Sequence, residues 1–403
     1  MDLRLRRRIL LFLTLVCIAS GAFADNTYHQ KETDDYVTLG DLTVEPGSSD
    51  VYQLKVFLNG TQIYTAFGMD IELPSGLEPV MKEDSNGDMR PDVRYWMGTN
   101  TIFPYIEDED SGNKMFSHTL TASYGVIGKN ILRMSCLSLK RENFRDESGQ
   151  LVTIRCKATP YLKPGVDDVH ITKCHFITNE KVLIDGKEMR GLQYNCKDRT
   201  ETITALAHST ATINVSAKNQ WGSCVVPFDI PVLPSGLEAY TVTVTDRESG
   251  IAYLKQQTSI LAYTPVLLYA KNGFSGTYSG DVDEPKYKEV AQQNIIYGAI
   301  VPQTKDDGFV LQNLGDGVKL YAMSGQTFEI PAGKCWVKPT IYNGAKYMEM
   351  VIDDGTTGIG SVECSNGAAQ HEPVYYSLDG KRVENPLPGK IYIVDGQKVL
   401  KLK

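Results

Sequence analysis

The 403-residue sequence has little of the chemistry on which enzymes and metal sites usually depend. It contains only 6 His and 3 Trp, and its 8 cysteines are scattered without a CxxC pair. Scattered cysteines argue against a structural zinc site, whose ligands occur in closely spaced pairs. The G-x-S-x-G motif, which marks the nucleophile of α/β-hydrolases, is also absent from the sequence. The scarcity of these residues and the absence of these motifs favour a protein that is not an enzyme.

The sequence also lacks an excess of positive charge and any long apolar run beyond its first residues. Its 41 Lys and Arg are outnumbered by 49 Asp and Glu, which gives a formal net charge of −8. Nucleic acids are bound through clustered cations, as are anionic membrane surfaces, so neither is an expected partner. After residue 24, no stretch approaches the 18 continuous apolar residues that predict a membrane-spanning helix.

Residues 1–24 have the pattern of a secretory signal peptide. Arginines at positions 4 and 6–8 precede the apolar run 9–20, and Ala22-Phe23-Ala24 forms the small-residue cleavage site. We expect residues 25–36 to form a disordered N-terminus of the mature chain. The protein is therefore predicted to be secreted, to a bacterial cell surface or to the extracellular medium.

The cysteines that follow this segment number seven, so at least one thiol is unpaired. Cys136 and Cys156 fall on the apolar side of alternating runs. We expect such cysteines to be buried free thiols that behave as small hydrophobic side chains. Disulfide formation in an oxidising compartment is the alternative.

Hydrophobic residues alternate with a period of two, which predicts half-buried β-strands. The pattern is clear in residues 51–58, 151–158 and 240–245, where side chains two positions apart share a face. Asn-Gly and Asp-Gly pairs separate such runs at short intervals and tolerate the positive φ angles of tight hairpins. Long stretches with a helical period are absent. The sequence predicts an all-β protein with two tandem jelly-roll-like β-sandwich domains and a small C-terminal β-hairpin tail.

Two motifs near the N-terminus flank an alternating strand. They read VTLGDLTVEPG at 37–47 and AFGMDIELPSGLE at 66–78. Together they resemble the opening of cohesin-like domains, and residues 117–120, 131–139 and 148–151 are similar to the later strands of that family. The resemblance extends over residues 37–216. It implies a sandwich fold related to carbohydrate-binding modules, and it brings no catalytic residue with it.

The second half carries three further motifs and a distinctive tail. WGSCVVPFDI at 221–230, AYTPVLL at 262–268 and IPAGK at 330–334 are similar to a β-module of secreted proteins from Gram-negative anaerobes. VYYSLDGKRV at 374–383 and GKIYIV at 389–394 resemble the sorting domains of type IX secretion substrates. The alternative for this tail is a small hairpin that docks on the second sandwich.

These observations predict the domain organisation of the chain. A Gly-, Ser- and Asn-rich stretch follows residue 353 and is typical of a flexible linker. The predicted boundaries are a signal peptide at 1–24, a disordered segment at 25–36, a cohesin-like sandwich at 37–216, a second sandwich at 217–353, a linker at 354–372 and a sorting-like tail at 373–403.

One loop-like segment carries candidate ligand-binding aromatic residues. It is rich in Gly, Asn and Pro, and loops on a rigid scaffold often hold binding residues. Flat aromatic rings suit sugar rings, which stack on them. The alternative is that the rings pack inward and hold the loop in place. The candidates are Tyr95, Trp96, Phe103 and Tyr105.

The preceding segment offers oxygen ligands at the spacing of a calcium loop. Loop positions 1, 3, 5 and 9 are used by hard cations, but Met89 replaces the usual Gly and Tyr95 replaces the bidentate Glu. We therefore expect weak calcium binding at best, and the alternative is a solvated acidic turn. The candidate ligands are Asp84, Asn86, Asp88 and Asp92.

Taken together, the sequence predicts a non-catalytic binding protein that is secreted or held at the cell surface. Its cohesin-like module is expected to present a site for a polysaccharide or for a partner protein. For a protein partner we expect a flat sheet face, such as that formed by residues 51–58. The alternatives are a purely structural or adhesive surface scaffold and a glycan-active hydrolase. No cofactor other than calcium is expected.

Overall fold

The computed structural model describes residues 30–107, 114–125, 129–184, 187–246, 250–315, 317–323, 325–338, 346–353, 375–376, 381–383, 386–387, 390–394 and 397–400. The predicted signal peptide and the predicted linker lie outside these residues. The regular structure within them is β-strand, apart from two single-turn 3-10 helices at Val93–Tyr95 and Glu284–Lys286. The predicted all-β class is confirmed. None of the described residues forms a helix long and apolar enough to cross a membrane.

The first domain contains the strands between residues 30 and 205. The first of them lies where the sequence predicted disorder, so that prediction is wrong for residues 30–32. The strands are β1 Gln30–Glu32, β2 Tyr36–Leu39, β3 Thr43–Val44, β4 Tyr52–Asn59, β5 Ala66–Glu72, β6 Leu77–Pro79, β7 Met81–Glu83, β8 Met89–Pro91, β9 Tyr105–Glu107, β10 Lys114–Phe116, β11 Thr119–Tyr124, β12 Ile131–Leu137, β13 Gly149–Ala158, β14 Gly165–Ile177, β15 Lys181–Ile184, β16 Lys187–Arg190, β17 Gln193–Asn195 and β18 Arg199–Ala205.

Two sheets form the sandwich of the first domain. The larger sheet has the order β11-β12-β5-β14, and β14 continues to β18 along its first half and to β17 along its second half. Strands β1 and β3 add to β17 and β18 in parallel. The smaller sheet has the order β2-β4-β13-β6 and is antiparallel throughout.

The core of the first domain lies between the two sheets. On β4, Leu54, Val56 and Leu58 are buried, and on β5 the buried set includes Phe67 and Ile71. Since side chains alternate across a strand, the residues between these point outward. The period-2 pattern of the sequence therefore corresponds to inward and outward faces, and it leaves each sheet with an outer face.

The second domain begins earlier than the sequence predicted. Residues 208–215 were placed in the first sandwich, but they pair with β24 along their whole length. The strands of this domain are β19 His208–Val215, β20 Trp221–Cys224, β21 Glu238–Asp246, β22 Ile251–Gln257, β23 Val266–Tyr269, β24 Phe274–Asp281, β25 Val290–Gln293, β26 Ile296–Ala299, β27 Gln303–Lys305, β28 Phe309–Asn313, β29 Val318–Ala322, β30 Phe328–Ile330, β31 Cys335–Val337 and β32 Tyr347–Ile352.

One long curled sheet dominates the second domain. It has the order β20-β23-β21-β22-β32-β29-β28-β31-β26-β25, and only the β22–β32 pair is parallel among the pairs described in it. On β23, Val266 and Leu268 pack into a core shared with β19, while Leu267 packs into a second core on the opposite face. The second domain is therefore layered as well, with the β19–β24 pair covering one face of the curled sheet.

The described tail contains four short strands, where the sequence predicted a hairpin. They are β33 Tyr375–Tyr376, β34 Arg382–Val383, β35 Ile391–Val394 and β36 Gln397–Leu400, and they form one sheet in the order β34-β33-β35-β36.

Direct contacts join the first two domains. The hydroxyl of Ser209 donates to the carbonyl of Pro160 at 2.7 Å, and the backbone N–H of Thr210 donates to the carbonyl of Pro46 at 3.0 Å. The ring of Tyr161 lies against Gly333, where an added Cβ would come within 2.0 Å of the tyrosine oxygen. The junction is therefore a packed interface and not a loose tether.

Candidate functional site

The structure separates the four candidate aromatic residues by burial. Trp96 and Phe103 are both 0% exposed. The Trp96 carbonyl accepts the N–H of Thr153 on β13 at 2.8 Å, and the Phe103 ring packs edge-on against Phe144 at 5.3 Å. Neither ring can reach a ligand at the surface, so the binding prediction is wrong for these two residues. They hold the segment in place, because burying a large ring is strongly favourable.

Tyr95 and Tyr105 remain exposed, at 60% and 40%. The Tyr95 ring lies beneath the guanidinium groups of Arg94 and Arg155, at 5.5 and 5.3 Å. The Tyr105 ring stacks on Phe116 of the neighbouring strand β10 at 4.5 Å. The two exposed rings thus have different surroundings, and Tyr95 is the one placed among cations.

The predicted calcium ligands do not converge. Asp84 lies at the tip of the β7–β8 hairpin, where its carboxylate accepts the backbone N–H groups of Asn86 at 2.8 Å and Asp88 at 3.1 Å. Asp92 follows the far end of β8, four residues beyond Asp88, which corresponds to roughly 13 Å of extended chain. Its carboxylate is held by Arg94 at 2.6 and 2.7 Å.

These contacts explain the charge state of the hairpin. The hydrogen bond from Asn86 lowers the pKa of Asp84, and the Arg94 side chain lowers the pKa of Asp92. Because it lies at the far end of β8, Asp92 cannot join the other three residues around one ion. That part of the calcium prediction is wrong. Within the described ranges, no group of three or more His, Cys, Asp or Glu side chains could hold a metal ion.

The closest approach of a hydroxyl to an imidazole occurs inside the core. Ser117 Oγ lies 2.7 Å from His118 Nδ1, and His118 Nε2 lies 3.0 Å from the carbonyl of Thr65. Both side chains are buried, and the His118 ring packs beside Phe103 and Phe144. Burial lowers the pKa of His118. This pair connects the start of β11 to β5 and is closed to substrate.

The thiols are equally unsuited to nucleophilic chemistry. Burial raises the pKa of Cys156 to about 12 and that of Cys224 to about 12. A thiol is reactive as its thiolate, so both side chains are inert at neutral pH. This agrees with the sequence interpretation of the cysteines as small hydrophobic residues.

The outer face of the larger sheet carries a cluster of three charged side chains, Asp70, Arg133 and Lys173. Asp70 of β5 is only 3% exposed although it points away from the core. Arg133, directly opposite on β12, binds its carboxylate with two hydrogen bonds of 2.7 and 2.8 Å. Lys173 of β14 approaches the same carboxylate at 3.2 Å. Burial alone would raise the pKa of Asp70, but the bonds from Arg133 and Lys173 outweigh it and hold the pKa below its ordinary value.

Small and hydroxyl side chains surround this cluster. The His175 ring lies on Gly68, where an added Cβ would come within 2.6 Å of the imidazole. Glycine at position 68 therefore leaves room for the ring against the sheet. The flanking strands contribute exposed hydroxyl residues, namely Thr119, Thr121 and Ser123 on β11 and Thr200, Thr202 and Thr204 on β18. The outer-facing positions of the five strands β11, β12, β5, β14 and β18 include no Phe, Tyr or Trp.

The outer face of the smaller sheet has a different character. Lys55 on β4 and Arg155 and Lys157 on β13 alternate with buried residues and therefore point outward. Among the described residues, these three cations take part in no ion pair. Together with Tyr95, whose ring lies beneath the Arg155 guanidinium, they form a cationic and aromatic patch on a chain whose net charge is −8.

Two cavities lie where the first two domains meet. One, of about 410 Å³, is lined by Tyr161 of the first domain and by Ser223 and Lys334 of the second. The other, of about 390 Å³, lies at one end of the larger sheet's outer face, between Glu72 and His170 on one side and Glu289 on the other, with further lining residues. Each cavity is thus a product of the domain junction.

Asp70, Arg133 and Lys173 are not among the site residues that the sequence predicts. A signal for the first was present, since Asp70 is the one acidic residue within the apolar stretch 66–71. Its partners lie far along the chain, at positions that only the strand order brings together.

No protein-family model matches the chain, and no curated protein matches it. Its matches among solved structures include cohesins. One is the complex of Coh-OlpA with Doc918, a type I cohesin–dockerin complex from Clostridium thermocellum, with 15% identity over 43% of this chain and 100% of that chain and a TM-score of 0.26. A type II cohesin domain from the cellulosome of Acetivibrio cellulolyticus has 12% identity over 43% and 95%, with a TM-score of 0.26. A non-cellulosomal cohesin from Archaeoglobus fulgidus has 11% identity over 43% and 92%, with a TM-score of 0.23. Identities and TM-scores as low as these do not indicate the function of this chain.

Proposed function

We propose that this chain is a non-catalytic binding protein whose first domain docks a partner protein on the outer face of the larger sheet. The observation that supports this most directly is the Asp70–Arg133–Lys173 cluster at the centre of that face. Arg133 is fixed by two hydrogen bonds before any partner arrives, and its side chain remains 40% exposed. Arginine is enriched among the residues that dominate interface energies. A side chain that is already ordered loses less entropy on binding.

The surroundings of the cluster favour a protein over a sugar. The hydroxyl side chains of β11 and β18 are short, so a partner can approach the sheet closely and form hydrogen bonds with it. The outer-facing positions of its five strands carry no Phe, Tyr or Trp, the rings on which sugars usually stack. Arginine, the residue at the centre of this face, is enriched in protein interfaces.

The partner is found by placing a photo-crosslinking amino acid at Thr121, on this face, and at Gln53, on the outer face of the other sheet. Both variants of the chain are mixed with the separated secreted proteins of the source organism. We expect one protein to be joined through position 121 and not through position 53.

The identified partner is then purified and its affinity measured. Arg133→Ala should weaken binding at least about tenfold, equivalent to about 1.4 kcal/mol. Arg90→Ala is the matched control, because Arg90 also pairs with an aspartate, Asp84, but belongs to strand β8 of the β7–β8 hairpin and not to the larger sheet. Equal affinity of the two variants would contradict the proposal.

A second candidate ligand is supported by the cationic patch on the smaller sheet. The exposed Tyr95 ring and the cations Lys55, Arg155 and Lys157, which form no ion pair with the described residues, fit an acidic polysaccharide, whose carboxylates would pair with the cations. This is the face of residues 51–58 that the sequence favoured for a protein partner. When the protein is immobilised on a column, the column should retain polygalacturonate and should not retain uncharged dextran. Arg155→Ser should reduce retention, and Lys181→Ser, on the β15–β16 hairpin, should leave it unchanged.

Export is part of the same proposal. A signal peptide at 1–24 would release a chain that begins at Asp25, and the tail at 373–403 would act in type IX sorting. N-terminal sequencing of the protein from the culture medium tests the first statement. Retention of the protein in the periplasm after deletion of the tail tests the second.

A further inference from the structure

Two cysteines of the first domain lie opposite each other on neighbouring strands. Strands β14 and β17 are antiparallel, with His175 opposite Asn195. The next pair in this register is Cys174 and Cys196. The backbone N–H of Cys196 donates to the carbonyl of Cys174 at 2.8 Å, which continues the pairing by one residue beyond the end of β17.

Both side chains face the core and contact each other. Cys174 and Cys196 are buried in the core of the first domain. A hydrogen bond between the two thiols, together with burial, raises the pKa of Cys174. Residues directly opposite in an antiparallel pair have Cα atoms about 4.5–5.5 Å apart, within the 4.4–6.8 Å that a disulfide spans. The strand register therefore places the two Cα atoms within the range that a disulfide spans.

We propose that Cys174 and Cys196 form a disulfide bond when the chain folds in an oxidising compartment. The two thiols lose two protons and two electrons to a small-molecule disulfide such as oxidised glutathione, which is reduced to two thiols as the Sγ–Sγ bond forms. Because exchange requires a thiolate and the folded thiols are buried and protonated, the bond forms during folding, before the core closes.

The bond would stabilise the part of the larger sheet that carries the ion cluster. Lys173, with φ of 53°, and Cys174 lie within the irregularity of β14, between Thr172 and His175. This irregularity sends Cys174 inward while it leaves Lys173 beside Asp70. A covalent link from Cys174 to the end of β17 fixes that geometry. The existence of the disulfide does not depend on the proposed function, and only its effect on the docking face does.

Peptide mapping tests the bond directly. The full chain is refolded with oxidised and reduced glutathione, alkylated with iodoacetamide in denaturant without reductant, and digested with trypsin. Cleavage after Lys173, Lys181, Arg190 and Lys197 places the two cysteines in separate peptides, 174–181 and 191–197. We expect one linked peptide whose mass is two hydrogens below the sum of the pair, with Cys136 and Cys156 alkylated. Recovery of both peptides in alkylated form would overturn the proposal.

A thermal measurement provides the second test. The disulfide closes a loop of about 20 residues, so reductant should lower the melting temperature of the oxidised protein by roughly 5–10 °C. The double variant Cys174→Ala, Cys196→Ala should melt at the same temperature with and without reductant. A wild-type melting temperature that does not respond to reductant would also count against the bond.

Discussion

At the scale of single residues, burial decides the role of each aromatic side chain between positions 95 and 105. Trp96 is fully buried, and its indole N–H finds no hydrogen-bond partner among the residues that the structure describes. An unpaired buried donor costs free energy, so this ring is retained for its packing. Tyr95, the next residue along the chain, is mostly exposed and lies among guanidinium groups. Neighbours in sequence therefore differ completely in what they can contact.

Trp96→Ala should destabilise the protein by about 3–5 kcal/mol, because it leaves a large cavity in the core. Tyr95→Ala should change the free energy of unfolding by less than about 0.5 kcal/mol, as exposed substitutions usually do. Urea unfolding of the two variants measures both values. Equal effects would show that the two rings are not divided between core and surface.

Asp70 should make the stability of the first domain depend on pH. Its pKa in the folded protein is held below the ordinary value of 3.8 by Arg133 and Lys173. The stabilisation is therefore complete above the ordinary pKa and is lost as the pH falls through the lower folded pKa. Asp70→Asn should cost about 1–2 kcal/mol at pH 7, since Arg133 and Lys173 are partly exposed.

Urea unfolding of wild type and Asp70→Asn between pH 7 and pH 2 measures this dependence. The difference between them should narrow as the pH falls below about 4. A difference that stays constant over this range would show that the carboxylate charge contributes nothing.

At the scale of strands, the packing of a β14 side chain across β5 depends on one glycine. Gly68 of β5 leaves room for the His175 ring of β14, and the two residues are paired in register. A side chain at position 68 would overlap the imidazole and force the ring away. The position of the His175 ring on the outer face is therefore a property of the pair.

Gly68→Ala should destabilise the protein by about 1–3 kcal/mol, because the new methyl group overlaps the imidazole. In a His175→Ala background the same substitution should cost much less, since the ring is gone. A double-mutant cycle by thermal unfolding measures the coupling. Independent, additive effects would argue against the contact.

At the scale of the whole molecule, the first two domains are joined by the Tyr161 ring and by backbone hydrogen bonds. Tyr287 Oη–H donates to the carbonyl of Tyr161 at 3.1 Å, and Lys163 pairs with Glu284 at 3.3 Å. Burial raises the pKa of the Tyr161 hydroxyl above its ordinary value. The second domain therefore fixes one end of the larger sheet's outer face.

Tyr161→Ala should uncouple the unfolding of the two domains. We expect one calorimetric transition for the wild type and two for the variant, because the substitution empties the interface beside Gly333. Tyr105→Ala removes an exposed ring of the first domain and should leave the single transition intact. A single transition in Tyr161→Ala would assign the coupling to the remaining contacts of the junction, such as the Lys163–Glu284 pair.

The alternation of apolar and polar residues by itself determined the β class of this protein. The signal is local, since adjacent side chains of a strand point to opposite faces whatever the strand pairs with. It located β4 and β13, and it placed Cys136 of β12 and Cys156 of β13 on the buried side of their strands. The hairpin at 84–88 was also readable from its Asn-Gly turn.

Only the tertiary structure decided which charges and rings meet. Asp70 and Arg133 are 63 residues apart in the chain, and the pairing of β5 with β12 brings them together. The burial of Trp96 likewise depends on β13, which closes over it from more than fifty positions away. Such contacts follow from the order of the strands in the sheets. Strand order depends on many long-range interactions, so it cannot be recognised in a short window of sequence.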